Sequence, residues 1–307
     1  MTNVTHIHAA AAPRTGSAAA CVPGAGSFDG RLLGVGDWDA AYDNRGAVPE
    51  FDGILAEWER DAPAFRAEMA AAGRARLDRP YGDGAREKFD LFLPEGAPRG
   101  LALFIHGGWW MRFDRTLFSH LAAGAVARGW AAALPSYPLA PGTPVSAITR
   151  AAARFVAAAA VTVPEGCIAL AGHSAGGHLA ARMVCADQRH PPGVAERIAR
   201  CVTVSGVHDL RPLLAAGVGP ELRLSEAEAA AESPALLRPA PNTRLLAWVG
   251  GDELPEFRRQ SALLANAWRG LGALTAFAEA PGRNHFDVIE GFSRPNTALT
   301  EAFLGGL

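Results

Sequence analysis

The sequence predicts an α/β fold, a mostly parallel central sheet covered by helices on both faces. Three observations carry this expectation. Short apolar, strand-like runs alternate with helix-like segments along most of the chain. Gly172-His173-Ser174-Ala175-Gly176 stands between one such run, Cys167 to Ala171, and a helix-like stretch from Ala175 to Asp187. His106-Gly107-Gly108 directly follows another, Leu101 to Ile105. In a parallel sheet, sites gather at the carboxyl ends of the strands, which is where both glycine-rich motifs fall.

The elements follow in order. Residues 1–28 are rich in Ala, Gly, Ser and Pro and cannot bury enough apolar surface to order themselves, so a disordered tail is expected there. Residues 29–307 read as a single domain. Within it, 29–80 is an N-terminal helical segment. Trp38, Tyr42, Ile54, Leu55, Trp58, Phe65 and Met69 recur at three- and four-residue spacings, with a break at Tyr42 to Arg45. Such a segment can pack over the core or wall the entrance to a site. Tyr81 to Gly84 reads as a turn, and Lys88 to Leu93 alternates like a strand. Further strands are expected at 101–105, 130–134, 167–171, 201–205, 244–249 and 274–279. Helices are expected at 116–128, 144–160, 175–187, 256–271 and 295–304. Residues 206–242 contain five prolines and break the alternation. They read as a cap-like insertion with one short helix at 225–232, placed to shape a substrate pocket.

Composition removes several function classes. The 307 residues carry a net charge of −2, so neither a nucleic-acid-binding surface nor a membrane partner is expected. Cys21, Cys167, Cys185 and Cys201 show no C-x-x-C spacing, so neither a disulfide scaffold nor a redox motif is expected. The apolar run from Phe155 to Val163 is too short for a membrane span and no secretory leader is legible, so a cytoplasmic location is expected. Metal binding is not expected. H-E-x-x-H is absent, and His173 and His178, five apart, do not share a helix face. No cofactor is expected, and a homodimer is left open.

A strand, a tight glycine-flanked turn and a helix form a nucleophile elbow, with Ser174 strained at its tip and at the positive end of the helix dipole. Glycine is needed on both sides because strand and helix nearly touch there. Serine is a weak nucleophile without a base. In this arrangement the acid and the histidine follow the serine in the chain. His285, after the last strand, is the natural base. Asp252, after the strand at 244–249, is read as the acid that orients the imidazole, with the adjacent Glu253 as its rival. Gly107 and Gly108 can bring their amides close to a tetrahedral oxyanion, and the Ala175 amide completes that hole. His106 reads as fixing its own loop. His173 and His178 are too close to the serine to swing back onto it and read as packing or hydrogen-bonding groups. His208 either lines the pocket or is structural.

With these residues placed, the chain resembles the H-G-G branch of the α/β-hydrolases. The resemblance rests on His106-Gly107-Gly108-Trp109, Gly172 to Ala180 and Tyr137-Pro138-Leu139-Ala140-Pro141. Histidine before the serine is closer to the arylformamidases than to hormone-sensitive-lipase-like members. Tyr42 to Pro49, Ser205 to Leu213 and Asp252 to Phe257 resemble segments of arylformamidase-like bacterial hydrolases. The resemblance runs from about Trp38 to the C-terminus. It implies an α/β-hydrolase fold with a small helical cap and cleavage of an N-formyl arylamide such as N-formylkynurenine, without a cofactor. Trp109, Trp110, Tyr137 and Phe286 are then candidates for an aromatic pocket, and each also suits the core. A short-chain carboxylesterase is the alternative, and a non-catalytic binding protein on the same scaffold the remote one.

Overall fold

The computed structural model describes residues 34–307; the expected tail at 1–28 lies outside them. Among the described residues, eight strands form one sheet: β1 (Ala75–Pro80), β2 (Lys88–Phe92), β3 (Gly100–Ile105), β4 (Ala131–Pro135), β5 (Cys167–His173), β6 (Ile198–Val204), β7 (Arg244–Gly250) and β8 (Leu274–Ala280). Their spatial order is β1-β2-β4-β3-β5-β6-β7-β8. β2 runs antiparallel to both β1 and β4, and the other pairings are parallel. The sheet is accompanied by the α-helices α1 (Trp38–Tyr42), α2 (Asn44–Ala47), α3 (Phe51–Ala71), α4 (Ala123–Ala127), α5 (Val145–Thr162), α6 (Ala175–Met183), α7 (Val194–Arg197), α8 (Val218–Leu222), α9 (Glu226–Ala231), α10 (Pro255–Arg269) and α11 (Ala298–Leu304).

The alternation of side chains along a strand divides the core in two. Leu101, Leu103 and Ile105 of β3 face one layer with Ile148 and Phe155 of α5, Leu179 of α6 and Trp268 of α10. Ala102 and Phe104 face the other, with Trp58 and Met69 of α3, Phe303 of α11, and Leu121 from the 3-10 turn at Arg115–Ala122. The fully buried central strands therefore read as continuous apolar runs, as a two-faced parallel sheet requires.

Four local expectations are corrected. β1 was not anticipated: Ala75–Pro80 is a charged edge strand, mostly exposed, and it pairs only with β2. The helix expected at 116–128 begins as a 3-10 turn over Arg115–Ala122 before α4. α5 is 18 residues long and apolar enough, by length and composition, to cross a membrane, with mean hydropathy 1.3. The apolar stretch is thus longer than the run from Phe155 to Val163 suggested. Its buried face, including Ile148, Ala152, Phe155 and Ala159, packs on the sheet. Finally, the 206–242 insertion does not cap the site. Its 3-10 turn at Arg211–Ala215, α8 and α9 put Leu213, Leu222 and Ala229 into the first core layer instead.

Candidate active site

β5 ends at His173 and α6 begins at Ala175, leaving Ser174 to make the whole turn. It does so at φ 53°, ψ −119°, a left-handed conformation that a non-glycine residue occupies only under constraint. The constraint is visible on both sides. A β-carbon on Gly172 would lie 2.0 Å from the Gly176 carbonyl oxygen, and one on Gly176 would lie 2.0 Å from that of Ile105. Strand, helix and β3 meet too closely for any other residue. The Ser174 amide is tied to the Val204 carbonyl at 2.9 Å, and the His178 amide to the Ser174 carbonyl at 3.1 Å.

The loop after β3 lies against this turn. A β-carbon on Gly107 would be 3.0 Å from Ser174 Cβ, and Gly108 takes φ +107°, where a side chain would be strained. The amides of Gly107, Gly108 and Ala175 have no partner among the described hydrogen bonds. Three unclaimed N–H groups beside the serine are the donor set that a developing oxyanion needs. His106 holds the loop, donating from Nδ1 to the Gly107 carbonyl at 2.7 Å. Its ring is stacked between Tyr137, with centroids 4.4 Å apart, and Phe118, at 5.5 Å.

His285 follows β8 on a loop fixed by Asn284, whose side-chain oxygen accepts from the amides of Phe286 at 2.8 Å and Asp287 at 3.0 Å. His285 is buried, and its imidazole packs on Phe257 at 4.5 Å. Its acid partner corrects the sequence reading. Glu253, not Asp252, accepts from His285 Nδ1, at 2.7 Å from Oε2. The other oxygen, Oε1, accepts from the Gly250 amide at 2.7 Å and from Ser205 Oγ. The side chain is completely enclosed, so both oxygens are satisfied by the protein rather than by water. Asp252 is exposed. The cause is the path after β7: the Gly251 amide binds the Ala280 carbonyl at 2.7 Å and the Asp252 amide the Arg283 carbonyl at 3.0 Å. That docking turns residue 252 outward and residue 253 toward the histidine.

Ser174 and His285 open onto one cavity of about 220 Å³. α2 and α3 supply Asn44, Arg45, Phe51, Leu55 and Trp58; the loop after β3 supplies Gly107, Gly108, Trp109, Arg112 and Phe113. Phe118, His173 and Phe286 complete it. The N-terminal helices, and not the 206–242 insertion, thus form the wall facing the serine. Of the five expected pocket residues, Trp109 and Phe286 line the cavity. Trp110, Tyr137 and His208 do not, and all three are fully buried. Trp110 donates from Nε1 to His178 Nδ1 at 3.3 Å. Tyr137 donates its hydroxyl to the His106 carbonyl at 2.9 Å, bracing the loop from behind. His208 sits against Gly206, sealed from the cavity. Leu55 and Trp58 belong to the segment expected to pack over the core or wall the entrance, and both line the cavity; Phe51 and Phe113 were not foreseen as lining residues. Among the described residues, no group of three or more His, Cys, Asp or Glu side chains is arranged to hold a metal ion.

The buried histidines have a measurable consequence. Burial pushes His106 down to about 4 and His178 and His208 to about 3. In the unfolded chain each titrates near ~6.5. Above that value neither state is charged and stability is unaffected. Below it the unfolded chain takes up protons that the folded one refuses, so unfolding becomes easier down to about pH 4. At pH 5.5 each such histidine removes about 1 kcal/mol. The melting temperature is expected to be level above pH 7 and to fall steadily from 6.5 to 4.5. A level profile across that interval contradicts the burial assignment.

A two-faced sheet with a strained serine at the strand–helix turn, a buried carboxylate–histidine pair and an amide-lined loop defines a hydrolase. The chain belongs to the alpha/beta hydrolase family, whose profile it matches over residues 102–299. It is similar to kynurenine formamidases: 29% identical over 236 residues to that of Danio rerio, covering 74% of this chain and 80% of the relative. To that of Drosophila melanogaster it is 26% identical over 223 residues, covering 68% and 74%. Among solved structures, one from Silicibacter sp., provisionally titled a thioesterase, is 41% identical with TM-score 0.81, covering 86% of this chain and 98% of its own. An esterase of Pyrobaculum calidifontis, 18% identical with TM-score 0.61, covers 82% and 90% and shares the fold.

Proposed function

We propose that this hydrolase removes a small acyl group, formyl foremost, from an aromatic amide of the N-formylkynurenine type. The observation that carries the reading is one small cavity in which Ser174 and a Glu253-anchored His285 face a wall of aromatic rings. Similarity to kynurenine formamidases supports the formyl amide as substrate. Since a carboxylate can only accept, the contact with Glu253 places the proton of neutral His285 on Nδ1. Nε2 is then the free base that takes the proton of Ser174 Oγ as the oxygen attacks the acyl carbon. The oxyanion forms beside Gly107, Gly108 and Ala175. His285 returns its proton to the leaving amine, and water repeats the cycle on the acyl-enzyme. Turnover of N-formylkynurenine compared with p-nitrophenyl acetate tests the reading. A kcat/KM for the formamide well above that for the ester supports it. Cleavage of esters alone replaces it by a short-chain carboxylesterase.

Size selection follows from the same cavity. Trp109 adjoins the oxyanion loop and is pinned edge-on by Tyr42, centroids 5.8 Å apart. On this reading Trp109 bounds the acyl side, and Phe51, Leu55, Trp58 and Phe286 hold the aryl side. Rates on phenyl esters are expected to fall steeply from acetyl through butyryl to octanoyl, by roughly a hundredfold overall. Trp109→Ala is expected to flatten that series. Octanoyl esters cleaved faster than acetyl esters by the unmodified enzyme overturn the small-acyl assignment.

A further inference from the structure

We propose that His173 is a specificity-determining residue whose Nδ1 accepts a hydrogen bond from the N–H of the scissile amide, so that the site favours amides over esters. The inference deepens the formamidase reading and rests on it.

The ring is oriented by its other nitrogen. Nε2 lies 2.8 Å from the backbone carbonyl of His285. A carbonyl only accepts, so Nε2 carries the proton and the neutral ring presents a bare lone pair at Nδ1. Burial, with the nearby His285, holds the pKa of His173 well below the ordinary histidine value, which keeps that lone pair free near neutrality. The ring cannot turn away, because it packs on the His285 imidazole with centroids 4.7 Å apart.

Nδ1 is also unclaimed and in the right place. His173 lines the cavity, and Nδ1 has no partner among the described residues, yet it is not sealed inside the protein as both nitrogens of His208 are. His178, on the other side of the serine, has both nitrogens used, by Trp110 and by the Glu232 carbonyl at 2.7 Å. Nδ1 and Ser174 Cβ both lie within 3.1 Å of one point, the position a β-carbon on Gly107 would take. An acceptor therefore stands beside the nucleophile and the oxyanion loop, where no protein group answers it.

Amide hydrolysis has a use for such an acceptor and ester hydrolysis has none. In the tetrahedral intermediate the amide nitrogen becomes pyramidal. Its lone pair must point at His285 to receive the proton from Nε2, which turns its N–H elsewhere. The C–N bond then breaks, its electron pair stays on nitrogen, and the proton from His285 completes the amine. The original N–H remains on the leaving group throughout and is only held by His173 Nδ1. An ester offers an oxygen lone pair at that position, which the Nδ1 lone pair repels. A site built around a substrate N–H discriminates against an analogue lacking it, because its own polar group is then left unpaired.

The test uses formanilide, N-methylformanilide and phenyl formate with the unmodified enzyme, His173→Phe and His173→Gln. The unmodified enzyme is expected to prefer formanilide to its N-methyl analogue by at least tenfold in kcat/KM. His173→Phe is expected to lower the formanilide-to-phenyl formate ratio at least tenfold, mainly through kcat, and to lose the preference against N-methyl. His173→Gln, which retains an acceptor, is expected to recover part of both. If His173 only holds the His285 loop, amide and ester fall by the same factor and the ratio stays within twofold, which overturns the proposal while leaving the formamidase reading intact. If His173→Phe does not fold, the substrate comparison decides alone, and equal turnover of formanilide and N-methylformanilide overturns it. Cleavage of phenyl formate but of neither formamide overturns both readings.

Discussion

Ser174→Ala is expected to lower kcat by five to six orders of magnitude, roughly the loss seen when a member of a cooperating nucleophile–base set is removed. The fold is expected to survive it. Ser174 Oγ makes no hydrogen bond within the described residues, and the turn is held by backbone contacts, the amide on Val204 and the carbonyl on His178. The strain at φ 53° falls on a main chain that alanine can share. The melting temperature is therefore expected to change by no more than a few degrees. A steady-state assay on N-formylkynurenine and on p-nitrophenyl acetate, with thermal unfolding beside it, separates loss of chemistry from loss of structure. Activity within tenfold of the unmodified enzyme removes Ser174 from the nucleophile role.

What the sequence made legible was set by local chemistry. Ser174 and the two glycines around it are dictated by a turn that only those residue types can make, so the motif carried its own geometry. His106-Gly107-Gly108 was legible for the same reason: an apolar strand ends and backbone must approach the serine bare. The position of His285 at the serine's cavity was legible from its place after the last strand, a consequence of sheet order. The central strands announced themselves as apolar runs because both their faces are covered. β1 did not, since Arg76, Asp78 and Arg79 of an exposed edge strand bury nothing that a pattern could show.

The misplaced residues share one cause, contacts with distant parts of the chain. Asp252 and Glu253 are adjacent carboxylates after the same strand, and which one turns inward is decided by hydrogen bonds to Ala280 and Arg283 on another loop. Trp110, Tyr137 and His208 have side chains suited to a pocket, and their burial depends on partners such as His178 and the His106 carbonyl. The wall facing the serine comes from α2 and α3, over a hundred positions upstream of it. The break at Tyr42 to Arg45 marked that segment as unusual. Only the packing shows that it brings Asn44 and Arg45 to the cavity while Tyr42 donates its hydroxyl to Glu256 at 2.9 Å behind it.

The decision between the two carboxylates can be made in solution. Glu253→Gln is expected to reduce kcat by three to four orders of magnitude, while Asp252→Asn leaves it within about twofold. The amide has nearly the shape of the carboxylate, so its oxygen can still accept from the Gly250 amide and Ser205 Oγ. Its NH₂ group then faces His285 Nδ1 across the 2.7 Å contact. Two donors cannot share that contact, so Nδ1 must give up its proton and become the acceptor. The proton moves to Nε2, the atom that takes one from Ser174 in the proposed mechanism, and the base is lost through the wrong tautomer rather than through altered position. Loss of the negative charge also removes the stabilisation of the imidazolium that forms when the serine attacks. KM is expected to change little, because Glu253 lies behind the histidine and outside the cavity lining. A large loss in Asp252→Asn with near-normal activity in Glu253→Gln would reverse the assignment and require the loop after β7 to turn the other carboxylate inward when substrate binds.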